Sequence, residues 1–235
     1  MSAPRIRRVV VLVAGILAAA APGAAQAPPA PEAVRFAADV EKARAHLLVS
    51  EQLYVTGQAR AAALHAAHPV QELGNRLIEP VRRVDAPRAD RVRAALKEPG
   101  GAIDAKVPPT RYVATVASVA KTLDEAVTHV VGADARANVP FRAKVLTALL
   151  AAMADEYDEA FKDGRITQVV EYQDAYGFFR RAQALYKDLP PEARRADADM
   201  AALSKALASR EPPAVPMPAK TFRELALRIG AALTK

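Results

Sequence analysis

The chain has no cysteine and no tryptophan. The first absence excludes disulfides, thiolate-held metals, a lipid anchor on an N-terminal cysteine and covalently attached c-type haem. Glycine supplies 10 of the 235 residues and aromatics 5%, and β-branched runs are few, so little in the chain favours sheet. The longest apolar run, Val9 to Ala21, is too short to cross a bilayer, which takes about 20 residues. Also missing are a His-Glu-x-x-His pair, a phosphate loop, a dinucleotide fingerprint and a nucleophile elbow. No basic run is interleaved with aromatics, so a nucleic-acid partner is not expected. These absences argue against an enzyme.

What is present begins with Arg5, Arg7 and Arg8, followed by the apolar run and then Gly23, Ala24 and Ala25. Charged, apolar and small-residue regions in that order read as a secretory signal peptide, cleaved after Ala25 because Pro28 disfavours cleavage after Ala27. The expected compartment is the periplasm, with no membrane span left after cleavage. The net charge of +7 combines 33 basic with 26 acidic residues. Three of the basic residues and none of the acidic ones lie in 1–25, so the mature chain, at about +4, is ordinary.

Abundant alanine, leucine, arginine and glutamate favour helix. Prolines punctuate the chain, and the spacing predicts a helix from about Glu32 to Val55 ended by Gly57. A second runs from Gln58 toward Arg83, kinked near His68-Pro69, because a proline disfavours helix at the residue before it. A short helix follows from Arg88 to Lys97, and Pro99 to Pro109 reads as a linker. Helices are then expected over Thr110–Val131, from Pro140 to the turn at Asp163-Gly164, over Ile166–Leu189, and from Pro190-Pro191 to Ser209. A final helix is opened by a capping box of Thr221 and Glu224. No strand of note is expected. The fold class is all-α: an antiparallel bundle of about seven or eight helices. Its parts are a signal peptide at 1–25, a helical bundle at 26–210 with a lobe boundary at 98–109, a proline-rich linker at 211–219 and an amphipathic helix at 220–235.

Of four histidines, His65 and His68 share one helical stretch with Glu72. At 100° per residue the three side chains fall within an arc of about 60°. Two imidazoles and a carboxylate suit a borderline cation such as iron, zinc or copper. Glu171 and Asp174, one turn apart on a helix with a buried aromatic stripe, are placed to complete the shell, as is His46 on the first helix. Gly177 costs helix stability, which points to close approach of another backbone or a ligand. His129 reads as a favourable charge at a helix C-terminus.

The stretch from His46 to Leu73, with Gly57 at its turn, alanines at the crossing and Pro69 at its end, resembles one tetratricopeptide-type hairpin. An exported alanine-rich bundle with a His and Glu helix and a late Glu171-Tyr-Gln-Asp174 helix also resembles the imelysin-like family, which includes periplasmic components of iron uptake. That resemblance implies metal binding through a His-x-x-Glu pair, met here by His68 and Glu72 with one residue more between them. Two functions follow. One is a periplasmic protein that stores or delivers iron or copper through His65, His68 and Glu72, with Glu171, Asp174 or His46 completing the shell. The other is a non-catalytic helical scaffold that binds a periplasmic or membrane-bound protein partner. If the signal peptide is correctly read, mass spectrometry of the exported protein finds Gln26 at its N-terminus; a retained Met1 contradicts it.

Overall fold

Apolar and small residues lie on every face of the first helix, and a helix without a polar side must be surrounded. In the computed structural model, which describes residues 30–234, this is α1 (Pro31–Val55). The expected signal peptide lies outside the described residues. Phe36, Val40, Ala43, Leu47, Val49 and Leu53 are all buried. Around α1 stand α2 (Ala59–Gln71), α3 (Gly74–Val84), α4 (Ala86–Asp104) and α5 (Pro109–Val131), and then α6 (Ala133–Ala137), α7 (Val139–Ala160), α8 (Val169–Asp188), α9 (Asp197–Ala206) and α10 (Ala219–Leu233). α1 touches α2, α3 and α5 on one side and α7 and α8 on the other, so one helix belongs to two neighbouring helical groups.

The described residues hold ten helices, more than expected, partly because the second expected helix is two. Pro69 stays inside α2, but helical bonding ends at Gln71 and restarts at Gly74, within one turn of the proline. The hairpin between α1 and α2 closes with the amides of Gly57 and Gln58 on the carbonyls of Tyr54 and Leu53, and Gly57 takes φ +81°. This is the Schellman arrangement that glycine favours. Alanines of α2 face α1: Ala62 and Ala66 are buried, and Ser50 Oγ donates to the Ala62 carbonyl at 2.7 Å.

Three expectations are corrected. Pro99 to Pro109 is not a linker throughout, since α4 runs through Pro99-Gly100-Gly101 to Asp104. Leu96, Pro99 and Ile103 are buried along one stripe, and that burial outweighs the weak helix propensity. The turn falls at Lys106, with φ +50°. Second, Thr221 and Glu224 form no capping box; α10 starts at Ala219 after Pro218, with no side-chain cap. The helix is no appendage: Phe222 stacks on Tyr157 at 3.8 Å, and the Tyr157 hydroxyl donates to the Met217 carbonyl. Third, Pro190-Pro191 opens a 3-10 turn at Pro191–Ala193, and α9 begins later, at Asp197. After α7, β1 (Phe161–Lys162) and β2 (Arg165–Ile166) form a minimal antiparallel hairpin. Its turn is Asp163-Gly164, both at positive φ, as a two-residue hairpin demands.

Gly177 of α8 is the tightest helix contact. A Cβ there would stand 2.7 Å from Val49 Cγ2 and 2.9 Å from the Ala45 carbonyl oxygen, so α8 rests on the backbone of α1. Gly177→Ala therefore overpacks the crossing at a cost of about 1–3 kcal/mol, against a gain of about 1 kcal/mol in helix propensity. The expected outcome is a lower melting temperature. Gly101→Ala, in the same type of backbone but with nothing within 4 Å, raises stability by about 0.5–1 kcal/mol. Calorimetry of the two variants checks both signs.

Candidate metal centre

The crossing at Gly177 brings together two side chains one step from it. His46 follows Ala45 on α1, and Asp174 lies one turn before Gly177 on α8. The His46 Nδ1 donates to Asp174 Oδ1 at 2.6 Å. From α2, His65 Nδ1 donates to the same oxygen at 2.8 Å, while its Nε2 meets Gln173 Oε1 at 2.9 Å. His68 Nδ1 lies 3.0 Å from Asp174 Oδ2 but outside hydrogen-bonding direction, and it has no hydrogen-bond partner. The outward Nε2 of His46 is likewise buried without one. The rings of His46 and His68 meet edge to face at 4.9 Å, and Phe178 covers His46 from α8.

Three of the four histidines thus converge on one carboxylate. The side chains of His46, His65 and Asp174 are at most 1% exposed, and that of His68 is 13% exposed. One donor atom from each of the four lies within 4.8 Å of the others. Two ligands opposite each other on an ion, each bonded at about 2.1 Å, are about 4.2 Å apart, so small side-chain shifts close the cluster on one cation. Imidazole and carboxylate are the donors that borderline ions prefer, and the chain has no cysteine thiolate to offer.

Glu72, at the C-terminal cap of α2, is 49% exposed and lies at the margin, 3.6 Å from His68 Nδ1 and 3.7 Å from His46 Nε2. Glu171 does not reach the histidines as a ligand; it groups with Glu156 and Asp174. His129 stands apart, 3.8 Å from Asp85.

The electrostatics follow from this crowding. Burial pushes the Asp174 carboxyl upward, but the imidazoles of His46, His65 and His68 outweigh it and hold it well below the usual range. Burial lowers His68, yet Asp174, Glu72 and Glu171 together raise it above 6.5. Glu156 is pushed up to about 8 by burial and by the charges of Asp174, Glu171, Glu159 and Glu72. Elsewhere acidic side chains meet arginine, as Glu41 meets Arg44 and Arg181, and Asp124 meets Arg136. Among the described residues, the ion pairs of Glu72 and Asp174 run only to histidine.

Glu156 and Gln173 escaped the sequence reading. Glu156 had a signal, since it sits in Asp155-Glu-Tyr-Asp-Glu159 in the last turns of α7, with no base in its last turn, where the helix dipole disfavours negative charge. Gln173 carried none, because its partner His65 is more than a hundred residues away.

No curated protein and no solved structure matches the chain. The histidines and Glu72 lie before residue 132, whereas Glu156, Glu171 and Asp174 lie after it. That second portion, residues 132–235 and so α6 to α10, matches the model of the iron permease-associated 4-helix bundle domain, an iron-uptake-related helical domain.

Proposed function

We propose that this is a non-catalytic periplasmic protein that binds a transition-metal ion, iron before copper, and stores it or hands it on. The observation that carries the reading is the convergence of His46, His65 and His68 on buried Asp174, with two ring nitrogens left unpartnered. The name of the matched domain favours iron and suggests a membrane-bound permease as the recipient. No helix of the described residues is long and apolar enough to cross a membrane, so such a partner would be met at its surface. Charge points the same way. A divalent ion held by neutral imidazoles, Asp174 and Glu72 is neutral overall, which a buried cluster requires.

Titration of the mature protein with Fe2+ under anaerobic conditions, or with Co2+, is expected to give one ion per chain. Asp174→Asn keeps the shape but removes the charge. Its loss of affinity should exceed the 10–100-fold typical of losing a residue that only orients a ligand. Equal, weak binding by wild type and Asp174→Asn would leave a helical scaffold as the function.

The pH dependence has a definite sign. The raised His68 contributes stability to the ion-free protein below about pH 6.5 and loses it as pH rises through its folded value. The lowered Asp174 contributes above about pH 3.8 and is lost only as pH falls well below that. A metal needs neutral imidazole, so protons compete with it at low pH. The rise in melting temperature on adding Co2+ is therefore expected to be small at pH 5.5 and larger at pH 8. A rise independent of pH would argue against histidine ligands.

A further inference from the structure

The cluster is closed on nearly all sides. His46, His65 and Asp174 are out of contact with water, and only His68, at 13% exposure, shows an edge. Glu72, 49% exposed, reaches both solvent and the imidazoles. The two ends of its carboxylate point at two rings, Oε2 at His46 Nε2 (3.7 Å) and Oε1 at His68 Nδ1 (3.6 Å). These separations are too long for hydrogen bonds. They equal the spacing of two ligands on one ion, which at bonds of about 2.1 Å is about 3.4 Å at the tetrahedral angle and about 3.6 Å at 120°.

Both nitrogens are buried and without a hydrogen-bond partner. In its neutral form an imidazole that donates from Nδ1 keeps a lone pair on Nε2, and in that form His46, bonded to Asp174 through Nδ1, turns the lone pair toward the Glu72 carboxylate. Two acceptors facing each other repel, and a cation between them removes the repulsion. His68 Nδ1 stands between Glu72 and Asp174, 3.6 Å from one and 3.0 Å from the other, hydrogen-bonded to neither. It is the atom that both carboxylates share. Glu72 is the C-terminal cap of α2, its amide donating to the His68 carbonyl at 2.9 Å, at the break before α3.

We propose that Glu72 is the loading ligand of the centre: it takes a divalent cation from solvent onto the outward nitrogens of His46 and His68 and passes it, by way of His68, to Asp174. This rests on the metal-binding reading above. The test is stopped-flow mixing of the mature protein with Co2+, with wild type, Glu72→Gln and Glu72→Asp compared at equal ionic strength, and stoichiometry measured separately. All three are expected to reach one Co2+ per chain at saturation, Glu72→Gln with lower affinity because a charge that balances the ion is gone. Association should slow about tenfold in Glu72→Gln. It should stay several-fold slow in Glu72→Asp, which keeps the charge but draws the oxygens back from the rings. A Glu72→Gln rate within twofold of wild type overturns the proposal. So does full recovery in Glu72→Asp, which would reduce Glu72 to long-range attraction. Failure of the wild-type chain to bind Co2+ at all removes the centre itself, an outcome separate from the other two.

Discussion

One buried carboxylate organises the middle of this protein. Asp174 lies among the aromatic residues of α8, where an unpaired charge would cost several kcal/mol, and it is kept ionised by imidazoles from α1 and α2. The contact is short because Gly177, one turn away, lets α8 rest on the Ala45 carbonyl. Had a side chain stood at Gly177, His46 and Asp174 could not meet at 2.6 Å without one helix moving. The small residue and the polar cluster are thus parts of one arrangement, the first supplying the distance and the second the chemistry.

The distribution of charge sets this cluster apart. Buried Asp39 and Glu41 on α1 are neutralised by lysine or arginine from α1, α3 and α8, which is how a stable interior treats carboxylates. The carboxylates at the histidines are not treated so, although the chain carries 33 lysines and arginines. Burial and mutual repulsion instead push Glu156 up to about 8 and raise Glu171. The cluster gathers carboxyl groups without the chain's own lysines and arginines, and the raised values of Glu156 and Glu171 are the consequence.

The centre also joins two stretches of chain. Asp174 lies in the portion that matches the iron permease-associated domain, and the histidines and Glu72 lie before it. α1 spans the two because it has no polar face: it gives one side to the α2–α5 group and the other to α7 and α8. The cluster is therefore complete only when both portions are folded together, so an ion bound there would be coupled to the tertiary structure.

Much of this was legible in the residues. Helix follows from composition, the hairpin from Gly57, the break from Pro69, and the shared face of His65 and His68 from their spacing, because each depends on neighbours within a turn or two. Gly177 announced a close crossing by its cost, without saying what would cross. The helix through Pro99 to Asp104 and the failed cap at Thr221 went the other way, since burial against distant elements decided each against local propensity. The sequence alone marked His46, His65, His68, Glu72, Glu171 and Asp174 as candidate metal ligands. Only the tertiary structure decided that they meet, that Glu171 turns to Glu156 instead, and that Glu72 is left half in water, because those outcomes depend on where α1, α2, α7 and α8 cross, and no spacing along the chain encodes a crossing between residues more than a hundred positions apart.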